Sequence, residues 1–184
     1  MPERGLGRSL VEAYLYLDLV AYDGEPGASR QATVTREQDG VVVGLGTTEI
    51  LVPYEAEAGA REEGALFGSG LSELIDPGQW VLIATTYASR ALEGALFHAA
   101  DPSGEHRYED VAADWRFAAE SIAEALKFFP PDEDELPPDA FWTELGRSLR
   151  ESEPDRLTRQ KLESDLALYH QSLDDFHRLN ADPE

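Results

Sequence analysis

The fold of this chain is decided by residues 32–54, which read ATVTREQDGVVVGLGTTEILVPY. Residues 32–35 alternate apolar and polar side chains, as a half-buried strand does. Asp39 and Gly40 tolerate the positive φ of a tight hairpin turn, and the valines that follow them have high β propensity. Residues 49–54 predict a third strand. We therefore expect a small antiparallel sheet of about three strands.

Helices are predicted both before and after these strands along the sequence. Leucines and tyrosines recur every three or four residues between residues 6 and 21, which predicts an N-terminal helix. Residues 55–70 mix Ala, Glu and Gly without a clear period, so we expect a surface loop there. Further amphipathic helices are predicted at residues 76–94, 109–129 and 139–149 and from Pro154 onward. This order of elements predicts an α+β fold in a single domain spanning residues 1–184.

The helix that follows the predicted loop has a strong start signal. Asp76 supplies a capping carboxylate, Pro77 occupies the first helical position, and Gln79 stands three residues after the cap. These residues together predict a capping box. Gly94 is the predicted end of the same helix, because glycine adopts the left-handed conformation that closes helices.

Composition excludes several classes of protein. The chain has 37 Asp and Glu against 15 Lys and Arg, a formal net charge of -22, which disfavours direct binding to nucleic acid. It contains no cysteine, so disulfides, thiol catalysis and cysteine-ligated zinc are excluded. Glu12 and Asp18 interrupt the apolar stretch at residues 10–20, where the core of a signal peptide would be uncharged. We therefore expect a cytoplasmic protein that does not bind membranes.

Two groups of residues have the composition of a metal or catalytic site. They are His170, Asp174 and His177 on the last predicted helix, and His98, Asp101, Glu105 and His106 around a loop. The first group recurs at intervals of four and three residues, which places two imidazoles and a carboxylate on one helical stripe. A solvated helix flank and an ordinary polar loop are the preferred interpretations of the two groups. No catalytic, metal or cofactor residue is therefore assigned, and no cofactor is expected.

An acidic segment at residues 130–139 is the candidate contact site for a partner. It carries five acids and no base, and two proline pairs enclose the first four of these acids. The acids are Asp132, Glu133, Asp134, Glu135 and Asp139. Proline restricts the backbone, so we expect a stiff, extended and exposed connector that presents carboxylates at a reduced entropic cost. The alternative is a spacer that only separates two helices.

These features favour binding over catalysis. We expect a non-enzymatic acidic protein, such as an inhibitor or immunity protein that neutralises a basic partner, for example a nuclease toxin. One alternative is a hydrolase that uses carboxylates or histidines. Another is an adaptor or secretion chaperone that pairs helices through its C-terminal apolar seam. The acidity could also reflect adaptation to salt or simple solubility.

Three further segments carry a resemblance to known proteins. They are EAYLYLDL at residues 12–19, DPGQW at residues 76–80, and LKFFPP at residues 126–131, which continues to LPPDAFW at residues 136–142. Together they resemble a family of uncharacterised actinobacterial proteins. The resemblance implies a shared fold over most of the chain and no particular activity. Members of that family carry paired Cys-x-x-Cys motifs in the strand region, whereas residues 29–52 here contain no cysteine, so no zinc site is implied.

Overall fold

The structure, a computed structural model, describes residues 4–20, 27–103 and 105–181, and the side chains of residues 105–107 are not among those described. The chain divides into two compact units, Met1–Ile75 and Asp76–Glu184. The prediction of a single domain stays a prediction. Among the described residues, no helix combines the length and apolar character needed to cross a bilayer.

The first unit combines a four-stranded sheet with two helices. Its elements are β1 (Arg4–Leu6), α1 (Leu10–Val20), a 3₁₀ turn (Ala28–Gln31), β2 (Thr33–Arg36), β3 (Gly40–Leu45), β4 (Thr48–Pro53) and α2 (Tyr54–Glu63). The strand order is β1-β4-β3-β2. Strands β2, β3 and β4 pair antiparallel as predicted, whereas β1 pairs parallel to β4. The α+β class with an N-terminal helix is thus confirmed, and one short strand is added to the predicted sheet.

The hairpin between β2 and β3 forms where it was predicted but for a different reason. Arg36 pairs with Val41, so the turn contains Asp39 and leads into Gly40. Neither Asp39 nor Gly40 has a positive φ. A Cβ on Gly40 would lie 2.3 Å from the carbonyl oxygen of Val52 in β4. Glycine is therefore required because the backbone of the neighbouring strand approaches closely.

The prediction of a loop at residues 55–70 is wrong over its first part. Residues Tyr54–Glu63 form α2, which ends at Gly64 in the left-handed conformation with a φ of 65°. Alanine and glutamate are strong helix formers, and Glu57 pairs with Arg61 one turn later. Only Ala60 of this helix is buried, so the sequence lacks the apolar period by which a packed helix is recognised.

The described residues of the second unit form four α-helices, as predicted, with shifted boundaries. They are α3 (Pro77–Ala100), α4 (Glu105–Leu126), α5 (Glu144–Ser152) and α6 (Arg159–Leu179), with 3₁₀ turns at Pro138–Ala140 and Pro154–Leu157. Helix α3 does not end at Gly94. A Cβ on Gly94 would lie 2.7 Å from Cγ2 of Val111, so this glycine allows α3 and α4 to pack closely rather than ending the helix.

The core of the second unit lies between α3, α4 and α6. Its buried members are Ala88, Ala91, Val111, Trp115, Ala118 and Phe176. Alanines on α3 and α4 leave room for Trp115, and Tyr169 and Leu173 of α6 pack against the same cluster. The apolar seam predicted for the last helix is therefore used within the chain, with Leu162 and Phe176 buried.

A single buried carboxylate joins two of these helices. Asp76 forms the predicted capping box, accepting from the Gln79 backbone N–H at 2.9 Å, while Gln79 Oε1 accepts from the Asp76 backbone N–H at 3.0 Å. The second oxygen of Asp76 accepts from Thr143 N at 2.9 Å and from Thr143 Oγ1 at 2.6 Å. Thr143 in turn caps α5. Asp76 therefore fixes the starts of α3 and α5 relative to each other.

Candidate functional site

The structure brings together one member of each histidine group. The Tyr108 hydroxyl lies 2.6 Å from Nδ1 of His177. The rings of His98 and Tyr108 are 6.0 Å apart between centroids, and Phe176 lies 5.7 Å from His98 and 5.1 Å from Tyr108. Residues that are distant in sequence thus form one aromatic cluster between α3, α4 and α6.

The remaining members of the two groups do not join this cluster as ligands. His170 and Asp174 are exposed on α6, and Asp101 is exposed and accepts hydrogen bonds from Ser103. The side chains of Glu105 and His106 lie outside the described residues. Within the described part of the chain, no three His, Asp or Glu side chains are grouped closely enough to hold a metal ion.

His98 behaves as a packing residue. It is 6% exposed, and its Nδ1 has no hydrogen-bond partner among the described residues. A buried polar atom without a partner destabilises the folded state by about 1–3 kcal/mol. We therefore expect His98→Phe, which keeps the ring contacts with Tyr108 and Phe176, to raise the free energy of unfolding by about 1 kcal/mol. Urea unfolding followed by tryptophan fluorescence measures this change, and a loss of more than about 1 kcal/mol would contradict the packing role.

We name residues 130–139 the acidic connector, and its backbone is a fixed turn rather than an extended rod. The Glu133 backbone N–H donates to the carbonyl of Pro130 at 3.2 Å, and Asp132 has a φ of 62°. Arg159, the first residue of α6, determines this shape. Its Nε donates to the Glu133 carbonyl at 2.8 Å and its Nη2 to the Pro130 carbonyl at 3.1 Å. The expectation of an extended segment is therefore wrong, and the expected stiffness stays a prediction.

Two further contacts of Arg159 hold the connector in place. Its backbone N–H donates to the Asp134 carbonyl at 3.1 Å. Its guanidinium carbon lies 4.8 Å from the centroid of the Phe129 ring, within the range of a cation–π contact. Because this arginine binds carbonyls of the connector, it leaves the acidic side chains of the connector free.

All five acidic side chains of the connector face solvent. These are Asp132, Glu133, Asp134, Glu135 and Asp139. In the part of the chain that the structure describes, none of these carboxylates takes part in a hydrogen bond or an ion pair. The connector thus presents these carboxylates to solvent on a backbone that is held by hydrogen bonds from Arg159.

A cleft of about 270 Å³ adjoins the connector, and we name it the acidic cleft. Its lining residues are Glu135, Leu136, Phe141, Arg150, Glu151, Pro154, Asp155, Leu157 and Thr158. Leu136, Phe141 and Leu157 are buried and supply an apolar floor. The guanidinium carbon of Arg150 lies 5.6 Å from the centroid of the Phe141 ring, so a cation already contacts this floor.

The chemistry of the acidic cleft suits a long cationic side chain. Its floor can contact methylene groups while Glu135, Glu151 and Asp155 contact the charged head, as snorkelling lysines and arginines require. The volume of the cleft lies near the lower end of the roughly 300–1,000 Å³ that is usual for small-molecule pockets.

Sequence reasoning located the acidic connector but missed the groups that organise it. Arg159, Glu151 and Asp155 lie in different elements from the connector, and they meet it only in the folded chain. Their spacing along the sequence carries no periodic signal. The one available hint was a basic residue at the start of a helix, where acids are usually favoured.

Comparison with known proteins gives no assignment by similarity. No protein-family model, curated protein or solved structure matches the chain. The function is therefore argued from the geometry and charge of the acidic connector and the acidic cleft.

Proposed function

We propose that this chain is a non-enzymatic, cytoplasmic, acidic binding protein that neutralises a basic protein partner, as an inhibitor or immunity protein of a nuclease toxin does. The observation that supports the proposal is the acidic connector, with five exposed carboxylates that have no ion-pair partner among the described residues, on a backbone held by Arg159. The adjoining acidic cleft offers a place for one lysine or arginine of the partner.

Order and charge contribute separately to such binding. A fixed backbone reduces the conformational entropy that is lost when the complex forms. Exposed carboxylates and a net charge of -22 attract a basic protein over distances longer than a contact and raise the association rate. Charge also disfavours acidic partners and nucleic acid, which gives the surface specificity.

Removing the charges of the connector is expected to slow association with the partner. The variant replaces Asp132, Glu133, Asp134 and Glu135 by Ser. Because these side chains are exposed and form no hydrogen bond or ion pair within the described structure, the fold should be unchanged, and the association rate in low salt should fall about tenfold. The partner is recovered from the native host on immobilised parent protein, purified, and mixed with each variant by stopped flow.

A matched control removes an equal number of negative charges, four, from the first unit. It replaces Asp39, Glu55, Glu62 and Glu73 by Ser, all of which are exposed. This control should slow association by less than about threefold, since only the general field of the protein changes. Equal slowing by both variants would show that net charge acts without a particular surface. If the connector variant associates with the partner as fast as the parent does, residues 130–139 are a spacer and do not form the contact site.

A further inference from the structure

A second surface of the molecule presents apolar side chains to solvent. In the C-terminal half of α3, Leu92 is 58% exposed, Leu96 is 74% exposed and Phe97 is 58% exposed. Leu92 and Leu96 are one helical turn apart and form a stripe, and Phe97 lies about 100° further around the helix, beside that stripe. Contiguous exposed apolar side chains of this size are typical of a protein-binding surface.

Phe97 also lines a groove between α3 and α4 with a volume of about 260 Å³. The groove is lined by Gly94, Phe97, Asp110, Val111 and Asp114. Gly94 contributes no side chain, and Phe97 forms an apolar wall. The two acids stand one turn apart on α4. The groove therefore combines an apolar surface with two negatively charged side chains.

Asp114 is incompletely neutralised within the protein. Its side chain is 13% exposed, and Nη2 of Arg90 lies 3.5 Å from its Oδ1, beyond a short charge-assisted hydrogen bond. Arg90 is itself half-exposed, and its guanidinium carbon lies 5.0 Å from the centroid of the Tyr87 ring. Burial raises the pKa of Asp114, Arg90 opposes that increase, and Asp110 adds to it. A further cation in the groove would stabilise the charged form of both acids.

The groove and the stripe suit one kind of occupant. A second copy of this chain would bring another net charge of -22 and would place acids against acids. A purely apolar segment would bury Asp110, and Asp114 with only its 3.5 Å contact to Arg90, without supplying a cation, which is unfavourable. From this complementarity we infer that the α3–α4 groove docks a cationic amphipathic helix of a protein partner. Apolar side chains of that helix contact Leu96 and Phe97, and a lysine or arginine contacts the two acids.

The test uses a defined peptide and the full-length chain. The probe is a fluorescein-labelled synthetic helix with one leucine face and one lysine face, and the comparison peptide carries glutamate in place of lysine. Fluorescence anisotropy should show saturable binding of the lysine peptide alone. Leu96→Ser with Phe97→Ser, and separately Asp110→Asn with Asp114→Asn, should each weaken binding at least tenfold. By NMR, the pKa of Asp114 should fall when the peptide binds.

Two controls separate this inference from the proposed function. Leu168→Ser removes an exposed leucine of α6 and should leave the affinity unchanged. The quadruple serine variant of the acidic connector should bind the peptide within about twofold of the parent. Loss of peptide binding in the connector variant, with no effect of the groove variants, would overturn the inference and leave the proposed function intact. Concentration-dependent dimers in sedimentation velocity that disappear with the Leu96→Ser and Phe97→Ser changes would instead identify the occupant as a second copy.

Discussion

Glu12→Ala is expected to reduce the free energy of unfolding of the first unit by about 3–5 kcal/mol. Glu12 is completely buried at the start of α1. Its Oε1 accepts from Nη2 of Arg8 at 2.6 Å and from Nε at 3.0 Å, while Oε2 accepts from the Arg8 backbone N–H at 2.8 Å. Removing the carboxylate takes away all three of these hydrogen bonds to Arg8, whose guanidinium is mostly buried.

The same ion pair also holds the loop that follows α2. Nη1 of Arg8 donates to the carbonyl of Gly70 at 2.6 Å, and Oγ of Ser9 donates to the carbonyl of Phe67 at 3.0 Å. Loss of Glu12 should therefore loosen α1 and residues 67–70 together. Amide hydrogen exchange is the appropriate measurement, because all three tryptophans lie in the second unit.

A surface pair in the same unit provides the control for Glu12. Arg61 also binds a glutamate four residues away, Glu57, but its side chain is 74% exposed. Arg61→Ala should lower stability by less than about 1 kcal/mol. If Glu12→Ala changes exchange in α1 no more than Arg61→Ala does, burial of the ion pair contributes nothing to the stability of this unit.

Asp76→Ala is expected to destabilise the second unit by about 3 kcal/mol. The substitution removes the cap of α3 and leaves the buried Gln79 N–H and the backbone N–H of Thr143 without their acceptor. Asp76→Asn should have roughly half that effect, since one amide oxygen can replace only one of the two carboxylate oxygens. Urea unfolding followed by the fluorescence of Trp80, Trp115 and Trp142 measures both variants.

The position of Gly146 supports the tight geometry around Asp76. A Cβ on Gly146 would lie 2.3 Å from both carboxylate oxygens of Asp76. The comparison variant is Thr158→Ala, which removes an ordinary exposed cap of α6 and should lower stability by about 0.5–1 kcal/mol. A parent-like unfolding curve for Asp76→Ala would show that the two helix starts are held by packing alone.

The sequence predicted those features of the fold that depend on contacts between residues close together in the chain. The capping box of Asp76 and Gln79 was predictable because both partners lie within one turn. A second helix-start signal, Ser9 followed by Glu12, was present but was interpreted only as an interruption of an apolar stretch. Strand β1 was missed because it has three residues and gains its stability from parallel pairing with β4, which is distant in sequence.

In the candidate site, too, local features could be predicted from the sequence and contacts between distant residues could not. Composition identified the five acids of the acidic connector, since charge density is visible in the sequence. The turn imposed by Arg159 was not predictable, because proline alone favours an extended backbone. The positions of His98 and His177 in the sequence also could not show that both contact Tyr108, because these contacts depend on the packing of three helices.

The association rate with the purified partner as a function of ionic strength tests the central claim most directly. Charges on the acidic connector are exposed, so their field is screened within about 30 Å at 0.01 M salt and about 8 Å at 0.15 M. We expect the rate of the parent chain to fall about a hundredfold from 0.01 M to 0.5 M salt. The quadruple serine variant should show a clearly shallower decrease. A rate for the parent that does not change with salt would contradict the proposal that this protein captures a basic partner through the acidic connector.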